Sequence, residues 1–283
     1  MDTHFHRFLL ATDRSDFSSG AERVAITMAE KCGATLVGMT MVFSNPELDA
    51  IAPERAEQAE EEACNYLDRL AADCAPRKVA FEPLVRHGNK PSDEIVATAD
   101  EAHADIIVMG RRGQRGFARL MLGHATARVL GYARCSVLVV PRAGEMWQRR
   151  ILLATDGSRF SDAAADVAQM MARECRLPVT VISTIREVFS PERGREAVEA
   201  AERTTAAFRQ AGIETETTVL QGDPEERIIE IAAARDIDLI IMGTHGRTGF
   251  QRALLGSVTE RVIGATRWPV LAVKLQSRAE GRE

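Results

Sequence analysis

The chain is written twice. Phe8-Leu-Leu-Ala-Thr-Asp13-Arg-Ser15 returns as Ile151-Leu-Leu-Ala-Thr-Asp156-Gly-Ser158, and Asp105-Ile-Ile-Val-Met109-Gly110 returns as Asp238-Leu-Ile-Ile-Met242-Gly243. The second copy is shorter between the positions matching Thr40 and Val79, and by one more residue near Lys90. Length changes confined to connections, with matched apolar runs on either side, are what a duplicated folding unit shows. At 283 residues the chain accommodates two such units. We place them at 1–142 and 149–283, with Pro141–Gln148 as the linker.

Each copy alternates strands and helices. In the second, apolar runs at 150–155, 178–185, 214–220, 238–243 and 269–274 predict strands, and 160–175, 191–211, 224–236 and 257–265 carry helical periodicity. Five strands alternating with four helices predict an α/β fold with a parallel, doubly wound sheet. The runs show little polar alternation, as expected of strands covered on both faces.

Composition excludes more than it assigns. With 36 basic and 41 acidic residues, nothing draws the chain to nucleic acid or to a membrane surface. Its apolar runs are too short to cross a bilayer, and Met1–His6 does not read as a secretory signal. Five scattered cysteines, with no CxxC, fit a reduced cytoplasmic compartment. Cys32 and Cys175, at matching places in the two copies, read as small buried hydrophobes. His4 and His6 read as part of a loose terminus rather than a metal pair, and no metal set or catalytic residue is identified.

The chemistry concentrates after the fourth strand of each copy. Gly243, Gly246 and Gly256-Ser257 stand in a G-x2-G-x9-G-Ser arrangement. Clustered glycines let backbone approach a ligand and present bare N–H groups. The Ser257–Glu260 spacing is that of a capping box and predicts a helix opening at Ser257. Strand, glycine loop and helix N-terminus form a cradle for phosphate. Asp13 and Asp156 end the first strands. If strands one and four are neighbours where strand order reverses, aspartate and loop line one crevice. No GxxxxGK[ST] stretch exists.

These motifs and their alternating layout resemble the universal stress protein family over residues 5–141 and 149–275. Two copies in one chain resemble its tandem members. The resemblance implies two five-stranded Rossmann-type domains, similar to adenine-nucleotide alpha hydrolases, packed as a pseudo-dimer through their last strands. It implies a fold in which some members bind ATP and others do not, and cytoplasmic stress-response or regulatory roles. Carried over, Ala154, Thr155 and Asp156 face adenine and ribose, with Thr184 beside the base. Met242 and Gly243 begin the loop, and Gly246, Gly256, Ser257 and Val258 hold ribose and phosphates. In the first half Asp13, Met109, Gly110, Gly113 and Gly123 match the pattern. His124 and Ala125 stand where serine and valine are expected, and Arg14 replaces the glycine seen at 157. This makes a degenerate second site.

Each residue also has a plainer reading. The glycines can be turns closing a strand, Ser257 an N-cap, and Asp156 or Asp13 the shaper of the following turn. His124 can fill a vacated pocket, and His245 can touch a ligand. The expectation is a regulatory protein binding ATP, ADP or another adenine nucleotide, with or without Mg2+, chiefly in its second half. The nucleotide then modulates domain pairing or docking of a regulatory protein. A slow ATPase or autokinase, and a nucleotide-free scaffold or dimerisation module, are the alternatives.

Overall fold

The computed structural model describes residues 5–44, 51–111, 122–185, 191–246 and 255–275. The chain divides into two compact units, Met1–Met146 and Trp147–Glu283. In the first, the elements run β1 (Arg7–Ala11), α1 (Ser19–Cys32), β2 (Thr35–Phe43), α2 (Pro53–Cys74), β3 (Phe81–Gly88), α3 (Pro91–Glu101), β4 (Ile106–Gly110), α4 (His124–Tyr132) and β5 (Ser136–Val140). The second runs β6 (Ile151–Ala154), α5 (Arg159–Cys175), β7 (Val179–Ile185), α6 (Pro191–Gln210), β8 (Thr215–Gln221), α7 (Pro224–Ala234), β9 (Leu239–Gly243), α8 (Ser257–Ala265) and β10 (Val270–Val273).

Within the first unit the strand order is β3-β2-β1-β4-β5, and within the second β8-β7-β6-β9-β10, every pair parallel. The first strand of each unit thus lies between the second and the fourth, and the order reverses there. Register carries the chain ends of these strands to one level: Ala11 stands opposite both Met39 and Met109.

The apolar runs became the inner strands because helices cover both faces. Phe8, Leu9 and Leu10 of β1, Ile106 to Val108 of β4, Ile151 to Leu153 of β6 and Leu239 to Ile241 of β9 are all fully buried. The outer strands β3 and β8 depart from that expectation. Both are largely half-exposed, and β3 contains Pro83, which an outer position tolerates because one side of the strand has no ladder to complete. Prolines at the first turns of α2, α3 and α7 open those helices where a missing N–H costs nothing.

Two details repeat with the fold. Asp105 accepts the backbone N–H groups of His6 and Arg7 at 2.7 and 2.9 Å, clamping the start of β1 to β4. Its counterpart Asp238 accepts those of Gln148, Arg149 and Arg150 at 2.7, 2.8 and 3.1 Å. The first helices end alike, with the N–H of Ala34 on Ala29 and that of Leu177 on Ala172, both 3.0 Å. The left-handed residue in that turn is Gly33 in one unit and Arg176 in the other. Of the two matched cysteines, Cys32 is half-buried and Cys175 exposed, so the buried reading fails for the second. Each is the last residue of its helix.

Candidate functional site

In the second unit the end of β6 runs into a tight turn. Gly157 adopts φ 74°, a left-handed conformation natural to glycine. Its N–H donates to the Thr155 hydroxyl at 3.2 Å, and the N–H of Ser158 donates to Asp156 Oδ1 at 3.0 Å. Ser158 then caps α5, its side chain accepting the Ser161 N–H. One oxygen of Asp156 therefore shapes the turn, as the plainer reading has it. The other lies over the glycine loop: a Cβ added to Gly246 would stand 2.6 Å from Oδ2.

The glycine loop is pinned at both ends. The Thr244 N–H donates to Val273 at 3.1 Å, and the Gly256 N–H returns to the Thr244 carbonyl at 2.8 Å. From α8, the buried Thr259 hydroxyl donates to the carbonyl of Gly243 at 2.8 Å. Gly243 packs on the backbone of Phe160, where a Cβ would come within 2.8 Å, and Gly256 leaves 3.0 Å to the Thr244 oxygen. The half-buried His245 packs its ring on Phe160, centroids 5.2 Å apart.

Helix α8 begins at Ser257, as the spacing predicted, but its cap is Gly256 in extended conformation, with no side-chain cap. Ser257 is therefore the first helical residue, and Glu260 bonds its N–H to the Gly256 carbonyl instead of closing a capping box. The glycine cap needs no hydroxyl, so the exposed Ser257 side chain is not consumed by the helix. The first-turn N–H groups of Ser257, Val258 and Thr259 have no intrahelical acceptor, and the helix dipole makes this end positive.

The first unit keeps the same frame. The Arg111 N–H donates to Val140, the Gly123 N–H returns to the Arg111 carbonyl at 3.1 Å, and the Thr126 hydroxyl donates to the Gly110 carbonyl at 3.2 Å. Arg14 holds the turn position of Gly157 at φ 64°, its N–H on the Thr12 hydroxyl. Asp13 Oδ1 accepts from Ser15 N–H at 3.2 Å, Ser15 Oγ at 2.6 Å and Ser18 Oγ at 2.8 Å. Behind it, Glu22 accepts from the Thr12 and Tyr66 hydroxyls at 2.6 and 2.8 Å. Burial, then that bond to a carboxylate, push the Tyr66 phenol up to about 12.

Asp13, Met109, Gly110, Gly123 and His124 come together in the first unit, around a cavity of about 510 Å³. Gly113 lies outside the described residues. Met39, Thr40, Met41 and Ile95 also line this cavity, and sequence reasoning missed them. Equivalent bonds align the two units here: the Thr12 N–H donates to Met39 as the Thr155 N–H donates to Ile182, at 3.0 and 2.9 Å, which places Met41 at the position of Thr184. In the second unit Ala154 ends β6 and Thr155 and Asp156 follow it, Met242 and Gly243 end β9 beside it, and Gly246 meets Asp156. Thr184 lies near the end of β7, one strand further out and half-buried. A separate depression of about 650 Å³, bordered by Arg149, Arg150 and Glu216, involves residues at the start of β6 and in β8, away from the glycine loop. Its arginines pair with Glu214, Glu216, Asp236 and Asp238. Among the described residues no three His, Cys, Asp or Glu side chains could hold a metal ion, and no helix is long and apolar enough to cross a membrane.

The family model described as the universal stress protein family matches residues 4–141 and again 148–274. A universal stress protein of Methanocaldococcus jannaschii is 36% identical over 146 residues, covering 47% of this chain and 86% of that protein. One from Synechocystis is 26% identical over 171 residues, 60% of this chain and 58% of the relative. Among solved structures, a universal stress protein from Archaeoglobus fulgidus superposes with a TM-score of 0.80 at 20% identity, over 97% of this chain and all of the other. That likeness concerns the fold.

Proposed function

Because the chain belongs to the universal stress protein family, we propose that it is a regulatory binding protein taking ATP, or another adenine nucleotide, chiefly in its second half. Residues 1–142 and 149–283 act as its two domains. The observation that carries this reading is Asp156 Oδ2 lying against Gly246 while Oδ1 fixes the turn. A carboxylate held in this way accepts from ribose hydroxyls. The uncapped first-turn N–H groups of α8 and the exposed Ser257 hydroxyl suit phosphate oxygens, which a positive helix end attracts. The donor set therefore fits a sugar phosphate, with Ala154, Thr155 and Thr184 towards the base and Met242, Gly243, Gly256 and Val258 framing the phosphate end. Bound nucleotide regulates by favouring one state of domain pairing or partner docking, to the extent that its affinity for two states differs.

Nucleotide released from freshly purified, denatured protein, quantified by mass spectrometry per chain, tests the proposal. The expected result is about one adenine nucleotide per chain, as for a single saturated site, lost in Ser257→His. Absence of nucleotide, followed by no binding on titration with ATP and Mg2+, would overturn it.

A further inference from the structure

We propose that the cavity of the first unit is a site of different chemistry, taking a phosphate-free aromatic molecule of nucleoside size rather than a nucleotide. This goes beyond the nucleotide reading of the second half and stands independently of it. The two units serve as each other's comparison, because the hydrogen bonds that frame the crevice are the same while the lining is not.

The exchanges fall at the end of the second strand and at the start of the last helix. Where the second unit has the hydroxyl of Thr184, the first has the thioether of Met41, and Ile182 becomes Met39. Ser257 becomes His124 and Val258 becomes Ala125. Two hydroxyls are lost, and Met41 joins Met39, Met109 and Ile95 in an apolar wall whose other counterparts, Ile182, Met242 and Ile228, are apolar as well. Met39, Met109 and Ile95 are 2%, 5% and 7% exposed, so this wall is part of the core and not a surface accident. Thioethers are polarizable and adapt to a ring placed against them. A space of about 510 Å³ lies within the range of small-molecule sites.

Among the described residues, several polar groups at the cavity already have partners. Asp13 Oδ1 already takes three donors, Thr40 gives its hydroxyl to the Thr12 carbonyl at 3.0 Å, and Arg14 extends to the Ala59 carbonyl at 3.4 Å. At the start of α4, where the second unit offers a small hydroxyl, the first puts an imidazole ring. A triphosphate placed here meets the same glycine-capped helix start, but finds the bulk of the His124 ring where the second unit has the Ser257 hydroxyl, and so exchanges water for a poorer fit. An aromatic ring with few polar atoms gives up little water and gains the methionine wall.

Methionine methyl groups labelled with 13C report both units in one NMR spectrum, since Met109 of the first corresponds to Met242 of the second. The full chain is titrated with adenosine, as the phosphate-free probe, and with ATP. The expected result is that Met41 and Met109 respond to adenosine with an affinity roughly tenfold or more above that for ATP. Met41→Glu, at a half-buried position, abolishes that response and leaves the Met242 signal in place. In His124→Ser, altered at an exposed residue, the preference for adenosine narrows. An affinity for ATP at Met109 equal to or above that for adenosine would overturn the proposal, making the cavity a second nucleotide site. So would the absence of any response to either probe at Met39, Met41 and Met109. A Met242 that ignores ATP would instead count against the nucleotide reading of the second half alone.

Discussion

Gly246 and Asp156 are ninety residues apart in sequence, yet a Cβ on Gly246 would stand 2.6 Å from Asp156 Oδ2. The turn after β6 and the loop after β9 are thereby fitted to one another. In Gly246→Ala the carboxylate must swing away. A terminal carboxylate moves cheaply, so the stability cost is expected to stay below about 1 kcal/mol, as for changes away from the packed core. On the proposed nucleotide reading the oxygen assigned to ribose is displaced, and ATP affinity is expected to fall roughly tenfold or more. Calorimetric titration beside urea denaturation checks both. A variant that binds ATP as the parent does would remove Asp156 from the site.

The two left-handed positions exchange their residues between units. Gly157 and Gly33 have φ 74° and 64°, while their counterparts Arg14 and Arg176 have 64° and 54°. A side chain in this region costs roughly 1–2 kcal/mol, offset in part by glycine's greater freedom when unfolded. Arg14→Gly and Arg176→Gly are each expected to stabilise the chain by up to about 1 kcal/mol, and Gly157→Ala to destabilise it by about as much. Denaturant midpoints compared at constant slope decide this.

Thr126 and Thr259 each tie the first turn of a helix to the carbonyl at the end of a strand, at 3.2 and 2.8 Å. Both are buried, at 2% and 3% exposure. Replacement by valine leaves the carbonyl without its donor and is expected to cost about 1–3 kcal/mol in either unit. ATP binding separates them. Thr259→Val should weaken it by loosening the glycine loop, and Thr126→Val should leave it unchanged. Equal losses of affinity would mean that the nucleotide site is not confined to the second half.

Much of this arrangement was legible in the sequence, for identifiable reasons. The inner strands read correctly because burial on both faces leaves no polar position to confuse the pattern, as in Leu239-Ile-Ile-Met242. The sequence left the neighbouring of first and fourth strands as a condition, because a doubly wound sheet allows more than one strand order; the observed order meets it and brings Asp156 and the start of the glycine loop together. Ser257 marked its helix but not its cap, because Gly256 in extended conformation does the same work without a side chain. Cys175 was misjudged because a pattern locates the last turn of a helix without saying which side that turn presents. The methionine wall escaped notice because it is made by register between β1, β2 and β4, and register is not written in any one of them.

Tyr66 carries a pH dependence. Its phenol is raised to about 12 by burial and by the bond to Glu22, against an ordinary value of 10.0. The folded chain thus holds this proton more tightly than the unfolded chain. The resulting stabilisation is complete below about pH 10 and is lost as pH rises through about 12. The thiols of Cys74 and Cys135, each pushed up to about 11 by burial, act in the same direction over a lower window. In Tyr132→Phe, Tyr66 is the one remaining tyrosine. Its absorbance change at roughly 295 nm, the tyrosinate band, should then have its midpoint well above that of a free phenol. A midpoint near 10 would show that neither the burial of Tyr66 nor its bond to Glu22 persists in solution.

The carboxylate clamps differ between units, and stability should follow the difference. Asp238 accepts three backbone N–H groups and lies near the Arg149 guanidinium at 3.5 Å, with its side chain 14% exposed. Asp105 accepts two. Hydrogen bonds to a charged acceptor contribute more than neutral ones, and removing the acceptor strands its donors. Asp238→Ala is therefore expected to cost about 3–5 kcal/mol, and Asp105→Ala less. Asp238→Asn, which keeps one accepting oxygen, should recover part of the loss. Hydrogen exchange locates the effect: Gln148, Arg149 and Arg150 should lose protection in Asp238→Ala while the core amides of β9 keep theirs. If Asp105→Ala proved the more damaging change, backbone clamping would not be what holds the first strand of each unit against the fourth.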